Sequence, residues 1–108
     1  SHEYEFQKIT DKNEISCILN TYMNNYFDES DDKDTWFSKI KLLCEKLGYA
    51  SDMKAYKQNP DDYKGNITDV TTVIRVALTT RSMTPDLYEL LKLIGKERAI
   101  KRFSKFYC

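Results

Sequence analysis

The length, composition and charge of the chain restrict it to a small globular class. It has 108 residues, of which 41% are hydrophobic and 31% are charged, with three glycines and two prolines. This is enough apolar sequence for one domain, and too few glycines and prolines for a collagen-like or low-complexity protein. No apolar run approaches the roughly 20 residues of a membrane-spanning helix, and no basic start precedes an apolar stretch. We therefore expect one globular domain with no membrane segment and no secretory signal.

The cysteine and histidine content argues against disulfides and metal sites. The chain has three cysteines, Cys17, Cys44 and Cys108. Their odd number and wide separation make a poor disulfide framework and are typical of a protein from a reducing compartment. The single histidine, His2, and the lack of a close cysteine pair leave almost no ligands for zinc or iron. We expect a cytoplasmic protein whose chain itself binds no metal or other cofactor.

Charge is distributed unevenly along a chain whose net charge is zero. Residues 1–70 contain nine basic and 14 acidic side chains, whereas residues 71–108 contain eight basic and three acidic ones. A basic segment beside an acidic one is typical of a surface that meets nucleic acid or an acidic protein partner, and it is also compatible with an ordinary solvated face.

The first half of the chain contains two predicted helices separated by an acidic loop. Asp11 with a glutamate three residues later approximates a capping box, and the following apolar spacing predicts a helix from about Lys12 to Tyr26. Residues 28–32 lack the central glycine and terminal glutamate of a calcium loop, so we interpret them as a solvated loop. A second helix is predicted from Asp34 to Leu47, with Gly48 as its stop. Its apolar stripe should face the core and comprises Trp36, Phe37, Ile40, Leu43, Cys44 and Leu47.

The middle of the chain is less regular. Ser51-Asp52 is predicted to open a short helix that ends before Asn59-Pro60. Thr68 or Asp69 is predicted to cap a third helix, whose apolar residues are three and four positions apart as a helix requires.

Two further helices are predicted near the end of the chain. Thr84-Pro85-Asp86 offers a hydroxyl cap, a proline at the first helical position and an acid in the first turn, and the helix it opens should extend to Gly95. The last helix should run from Lys96 to about Phe106 and bury Ala99, Ile100 and Phe103. The chain is thus predicted to be all-α, a compact helical bundle or cage of five or six short helices.

No residue pattern indicates a catalytic site in this chain. Serine or cysteine nucleophiles usually need a histidine base, and His2 is a poor candidate. The three glycines, at positions 48, 65 and 95, are too dispersed to form a phosphate-binding loop. The sequence favours a binding module over an enzyme.

Two segments are candidates for binding. Residues 75–85 join two predicted helices and combine Arg75 and Arg81 with hydroxyls and a helix start, which suits unpaired bases but also an ordinary helix–helix turn. A basic stripe lies on the last predicted helix, where it would either contact phosphates or complement the helix dipole. The stripe comprises Arg98, Lys101, Arg102 and Lys105.

The sequence of residues 74–103 resembles that of a known protein family. Ile74-Arg75-Val76-Ala77-Leu78-Thr79, Thr84-Pro85-Asp86-Leu87 and Leu93-Ile94-Gly95-Lys96-Glu97-Arg98 are similar to the C-terminal anticodon-binding region of bacterial-type glutamyl-tRNA synthetases. With the Trp36-Phe37 helix and the Tyr56 to Gly65 segment, the resemblance covers about residues 35–103.

The resemblance implies an anticodon-binding-domain type of fold in a fragment of a larger class I synthetase. Residues 1–34 would form an N-terminal helix and acidic loop of the same domain, and residues 35–108 the C-terminal helical anticodon-binding subdomain. The parent enzyme would ligate glutamate to tRNA-Glu with ATP and Mg, which its catalytic domain binds outside this non-catalytic chain. We expect a monomer whose partner is the anticodon loop of tRNA-Glu.

The resemblance also implies the site. Arg75 would pack on an anticodon base, and Thr84, Pro85 and Leu87 would line the pocket for neighbouring bases. Arg81, in the same loop of the anticodon-binding site, would contribute a phosphate contact. Candidate phosphate contacts are Arg98, Lys101 and Arg102. Thr80 stands where the family usually has glycine, so a left-handed turn there would be strained. The alternative hypothesis is a helical protein-interaction module with a basic C-terminal face and an acidic N-terminal half.

Overall fold

Six α-helices make up the architecture in the computed structural model, which describes residues 3–108 and leaves the single histidine, His2, outside this range. Their bounds are α1 Lys12–Asn25, α2 Lys33–Leu47, α3 Met53–Gln58, α4 Ile67–Thr79, α5 Leu87–Ile94 and α6 Lys96–Ser104. A 3₁₀ turn at Pro60–Asp62 and an isolated parallel bridge between Ala50 and Asn66 are the other regular features. The predicted all-α class is confirmed.

Polar side chains that accept backbone N–H bonds start most of these helices. Asp11 accepts from the Glu14 amide at 2.9 Å, which confirms the predicted start of α1. Asp32 and Asp52 cap α2 and α3 in the same way. Each carboxylate satisfies an amide that the helix itself leaves without a partner, so the starts are fixed locally.

The predicted starts of α4 and α5 are wrong by two or three residues. Asn66, not Thr68 or Asp69, caps α4, because its side chain and that of Asp69 form a reciprocal capping box. Asp86, not Thr84, caps α5, since its carboxylate reaches the amides of Tyr88 and Glu89 at 2.9 and 3.3 Å.

The core lies where α1, α2, α4 and α6 pack together. Helix α1 contributes the fully buried Ile18, Leu19 and Tyr22, so the residues before position 34 share one hydrophobic cluster with the rest. Cys44 is buried in this core, which raises the pKa of its thiol to about 12, and all three cysteines are unbridged.

Four predicted core positions are less buried than expected, among them the half-buried Leu47 at the end of α2. Phe37 is 43% exposed and Ile100 is 39% exposed, although both lie on the apolar stripes of their helices. Trp36 is only half-buried and packs against the edge of the core, where its indole N–H donates to the Tyr22 hydroxyl at 3.1 Å. A stripe is buried only as far as a neighbouring helix covers it, and an open cleft borders the first turn of α2.

Candidate nucleic-acid interface

The end of α4 turns sharply at Thr80. This residue has φ 73°, and it is the one non-glycine residue between positions 3 and 108 with a positive φ. Its N–H donates to the Val76 carbonyl at 2.7 Å, and the Thr79 hydroxyl accepts from the Arg81 amide at 3.1 Å. The chain therefore keeps the left-handed turn that glycine favours, at the expense of strain in a β-branched residue.

The loop after this turn is held by an extended segment near the start of the chain. Glu5 donates its N–H to the Thr80 carbonyl at 2.9 Å, and its carboxylate accepts from Ser82 N–H at 3.1 Å and pairs with Arg81 at 2.8 Å. The Ser82 amide, and after it Arg81, holds the pKa of the Glu5 carboxyl below its ordinary value. The predicted site cation Arg81 thus already has a carboxylate partner, and residues 1–34 offered no local signal for this contact.

A cleft of about 300 Å³ lies between the start of α2, the middle of α4 and the start of α5. We call it the α2–α4–α5 cleft, and its lining comprises Lys33, Trp36, Phe37, Thr71, Arg75, Asp86 and Leu87. Two predicted site residues, Arg75 and Leu87, therefore meet here. Leu87 presents an apolar wall, while the Nε of Arg75 is buried without a hydrogen-bond partner among the described residues.

The rim of the cleft carries one ion pair. The ammonium of Lys33 bonds to the carboxylate of Asp86, which also caps α5. This hydrogen bond lowers the pKa of Asp86 and raises that of Lys33. Because both side chains are substantially exposed, the pair is weak and open to exchange with another charged partner.

The other predicted pocket residues lie beside the cleft and not in its lining. Thr84 is half-buried and its hydroxyl donates to the Pro85 carbonyl at 3.0 Å, whereas Pro85 itself is exposed. Met83, next to them, is 87% exposed. This loop therefore presents apolar and hydroxyl groups to solvent next to the entrance at Asp86.

The basic stripe of α6 divides into two kinds of residue. Arg98 donates to the carbonyls of Leu93 and Ile94, and Arg102 donates to the Leu78 carbonyl at 2.9 Å. These arginines satisfy carbonyls at the ends of α5 and α4, as cations near helix ends do. Lys101 is exposed on the same helix, and Lys105, which follows the last residue of α6 as its C-cap, is exposed as well.

The aromatic and acidic features outside the cleft have structural contacts. Tyr56 and Tyr63 are half-buried, with ring centroids 6.5 Å apart. In the acidic loop, Asp31 pairs with Lys39 at 2.7 Å and Glu29 accepts from the Lys96 amide that opens α6. Within residues 3–108, no cluster of three histidine, cysteine or acidic residues has the arrangement of a metal site.

None of the helices in residues 3–108 is both long enough and apolar enough to span a bilayer.

Comparison with known proteins gives one consistent result. Residues 53–107 match the model of the anticodon binding domain family. The chain is 42% identical over 106 residues to the glutamate–tRNA ligase of Clostridium perfringens strain SM101, an alignment that covers 98% of the chain and 19% of the ligase. It is 44% identical over 95 residues to that of Acetivibrio thermocellus, covering 88% and 17%. No solved structure matches the chain significantly.

A third relative extends this pattern. The glutamate–tRNA ligase of Clostridium beijerinckii is 39% identical over 89 residues, covering 82% of the chain and 16% of the ligase. The chain thus spans less than a fifth of the length of these relatives. The resemblance noted in the sequence is confirmed, and a general protein-interaction module is not favoured.

Proposed function

The chain belongs to the anticodon-binding domain family, and on that premise we propose that it recognises the anticodon loop of tRNA-Glu as the C-terminal part of a glutamate–tRNA ligase. The parent enzyme ligates glutamate to this tRNA with ATP and Mg, both bound by a catalytic part outside the chain. The chain itself is non-catalytic and acts as a monomer in the cytoplasm. Residues 1–34 and 35–108 act as one domain within that enzyme.

The α2–α4–α5 cleft is the observation that carries the proposal. An unpaired base presents a flat apolar face and a polar edge, and RNA-binding proteins meet these with aromatic or guanidinium planes and with hydrogen-bond donors. Arg75 and Leu87 both line the cleft. Arg75 brings a guanidinium group whose buried Nε has no hydrogen-bond partner within residues 3–108, and Leu87 brings an apolar wall. The volume of the cleft, about 300 Å³, is at the lower end of the range for sites that enclose small ligands.

Neighbouring residues complete the proposed interface. Thr84 and Pro85 contact bases next to the one held by Arg75, and Arg81 supports the loop through Glu5. Lys101, with Arg98 and Arg102 on the same helix, contacts backbone phosphates. Such contacts position the RNA and strengthen binding without reading its sequence.

The proposal is tested by titrating the chain with a labelled tRNA-Glu anticodon stem-loop at two salt concentrations. We expect loop-selective binding that weakens as salt rises, since phosphate contacts release counterions. A stem-loop with a scrambled loop is the control, and equal affinity for both would reject anticodon recognition. If neither binds, the decisive measurement is aminoacylation by the full-length ligase without this domain, and unimpaired charging would reject the proposal.

A further inference from the structure

Phe37 is an apolar side chain for which the fold has no full cover. The next residues of its helical stripe, Ile40, Leu43 and Cys44, are completely buried, whereas Phe37 is 43% exposed. Phe37 is one of the residues that line the α2–α4–α5 cleft, together with Arg75. An incompletely covered aromatic ring therefore lies at a concave site that a ligand can enter.

The ring of Phe37 is backed by a fixed aromatic neighbour. Trp36 lies with its ring centroid 6.4 Å from that of Phe37, at an interplanar angle of 34°. Trp36 is itself held by the hydrogen bond to Tyr22 and by contact with Tyr88, whose ring centroid is 5.7 Å away. An aromatic surface supported in this way loses little conformational entropy when a second ring packs on it.

A cation is already positioned at this surface. The Nζ of Lys41, one turn further along α2, lies 4.9 Å from the Phe37 ring centroid. Aromatic rings combined with lysines that can reach the phosphate backbone are the usual elements of single-stranded nucleic-acid sites. Helix α2 thus carries an incompletely covered aromatic ring with a lysine ammonium close to it.

We propose that Phe37 is a base-stacking residue of the α2–α4–α5 cleft, on which an unpaired nucleobase packs beside Arg75 while Lys41 contacts its phosphate. This inference rests on the proposed function, and it adds a residue of α2 to base contacts otherwise proposed for α4, α5 and the loop between them. It accounts for the exposure of Phe37, since the base supplies the cover that the helices leave out.

The test compares the unmodified chain with its Phe37→Ala and Phe37→Tyr variants in titrations with the tRNA-Glu anticodon stem-loop. Loss of one stacked base should weaken binding by about 5- to 150-fold, the equivalent of about 1–3 kcal/mol, and Phe37→Tyr should restore it. Leu42→Ala is the matched control, because Leu42 is a 51% exposed apolar residue of the same helix outside the cleft lining. The affinity of Leu42→Ala for the stem-loop should equal that of the unmodified chain.

A stem-loop with an abasic site at each anticodon position in turn identifies the stacked base. At one position, the abasic loss and the Phe37→Ala loss should not add, because both remove the same contact. Trp36, the single tryptophan, should report the same event as a change in fluorescence when the intact loop binds.

The outcomes separate this inference from the function on which it rests. If the unmodified chain selects the anticodon loop but the affinity of Phe37→Ala is within twofold of its affinity, anticodon recognition stands and the stacking role fails. Additive losses at all three anticodon positions would also reject it. If the unmodified chain shows no loop selectivity in any of the tests above, the proposed function fails, and the role of Phe37 fails with it. Circular dichroism of each variant confirms that the fold is unchanged.

Discussion

At the scale of single residues, the turn after α4 combines strain with a proposed contact. Thr80 adopts the left-handed conformation only five residues after Arg75 and four before Thr84. Its neighbours Thr79 and Glu5 hold it there through the hydrogen bonds to Arg81 and to the Thr80 carbonyl. These contacts order the loop without RNA, and a loop ordered in advance would lose less entropy in the proposed complex.

Replacing Thr80 by glycine should stabilise the domain. A non-glycine residue in this region costs about 1–3 kcal/mol, and the greater flexibility of unfolded glycine offsets about 0.5–1 kcal/mol of that. We expect Thr80→Gly to raise the free energy of unfolding by about 1 kcal/mol in urea denaturation. Thr72→Gly, at a helical position of α4, should lower it. A loss of stability in Thr80→Gly would contradict the assignment of strain.

Arg75 is the residue whose loss should affect RNA binding most directly. Its side chain lines the cleft, and its buried Nε has no hydrogen-bond partner among the described residues. Arg75→Ala should weaken binding of the anticodon stem-loop by about 1–3 kcal/mol, as the loss of a specific base contact does, and should relax preference at one loop position. Unchanged affinity in a folded Arg75→Ala protein would remove this residue from the site.

At the scale of elements, the irregular segments hold the helices in place. The extended segment at Glu5 fixes the loop after α4, and Glu29 of the acidic loop accepts from the first amide of α6, which has no side-chain cap of its own. Helix ends that lack a local cap are thus completed from distant parts of the chain. Both contacts act on segments that flank the proposed interface.

The contact of Glu5 should depend on pH. Because folding lowers the pKa of this carboxyl, its contribution is complete above the ordinary pKa of glutamate and is lost as pH falls through the lowered value. The chemical shift of the Ser82 amide should follow that transition, and Glu5→Gln should abolish it. Trypsin should also cleave faster after Arg81 in Glu5→Gln at neutral pH. Glu3→Gln is the control, and equal cleavage in both variants would mean that Glu5 does not hold the loop.

Lys101 tests the phosphate-contact role of α6 without disturbing the fold. Arg98 and Arg102 bond to carbonyls of α4 and α5, so replacing either would change stability as well as binding. Lys101→Ala should weaken stem-loop binding equally for all loop sequences and lower the salt slope by about one. Lys46→Ala, at the end of α2, should change neither. Altered base preference with an unchanged slope would contradict a phosphate contact.

At the scale of the whole molecule, α1 is part of the core that supports the cleft. It packs against α2, α4 and α6, and Tyr22 holds Trp36 at the cleft wall. Fully burying one large apolar side chain contributes about 1.5–3 kcal/mol, while a small domain has about 5–15 kcal/mol in total. The several buried residues of α1 therefore represent a large share of the stability of the domain.

Removal of residues 1–34 should abolish cooperative folding of the remainder. The deletion exposes the faces of α2, α4 and α6 that α1 covers. It also removes the contacts of Glu5 with the loop after α4. In circular dichroism we expect a sharp thermal transition for the 108-residue chain and none for residues 35–108 alone. A cooperative transition in that fragment would show instead that residues 35–108 form an autonomous domain.

Much of the fold could be predicted from the sequence, because helix formation rests on local signals. Apolar spacing and the caps Asp11 and Gly48 act within about four residues of each other, so helix number and the bounds of α1 and α2 follow from them to within a residue. The errors arose where polar residues two or three positions apart could each cap the same helix. Asn66 and Asp86 are the caps because their side-chain oxygens accept hydrogen bonds from backbone amides in the first turns of α4 and α5.

The site, in contrast, was predicted only in part. The motif around Arg75 and Leu87 is visible along the chain, and the two residues line one cleft. Only the tertiary structure decided that Phe37 stays exposed beside them and that Glu5 pairs with Arg81 across 76 positions. Periodicity shows which face of a helix is apolar, but its cover depends on how far neighbouring helices extend, and a contact between distant residues exists only once the chain has folded.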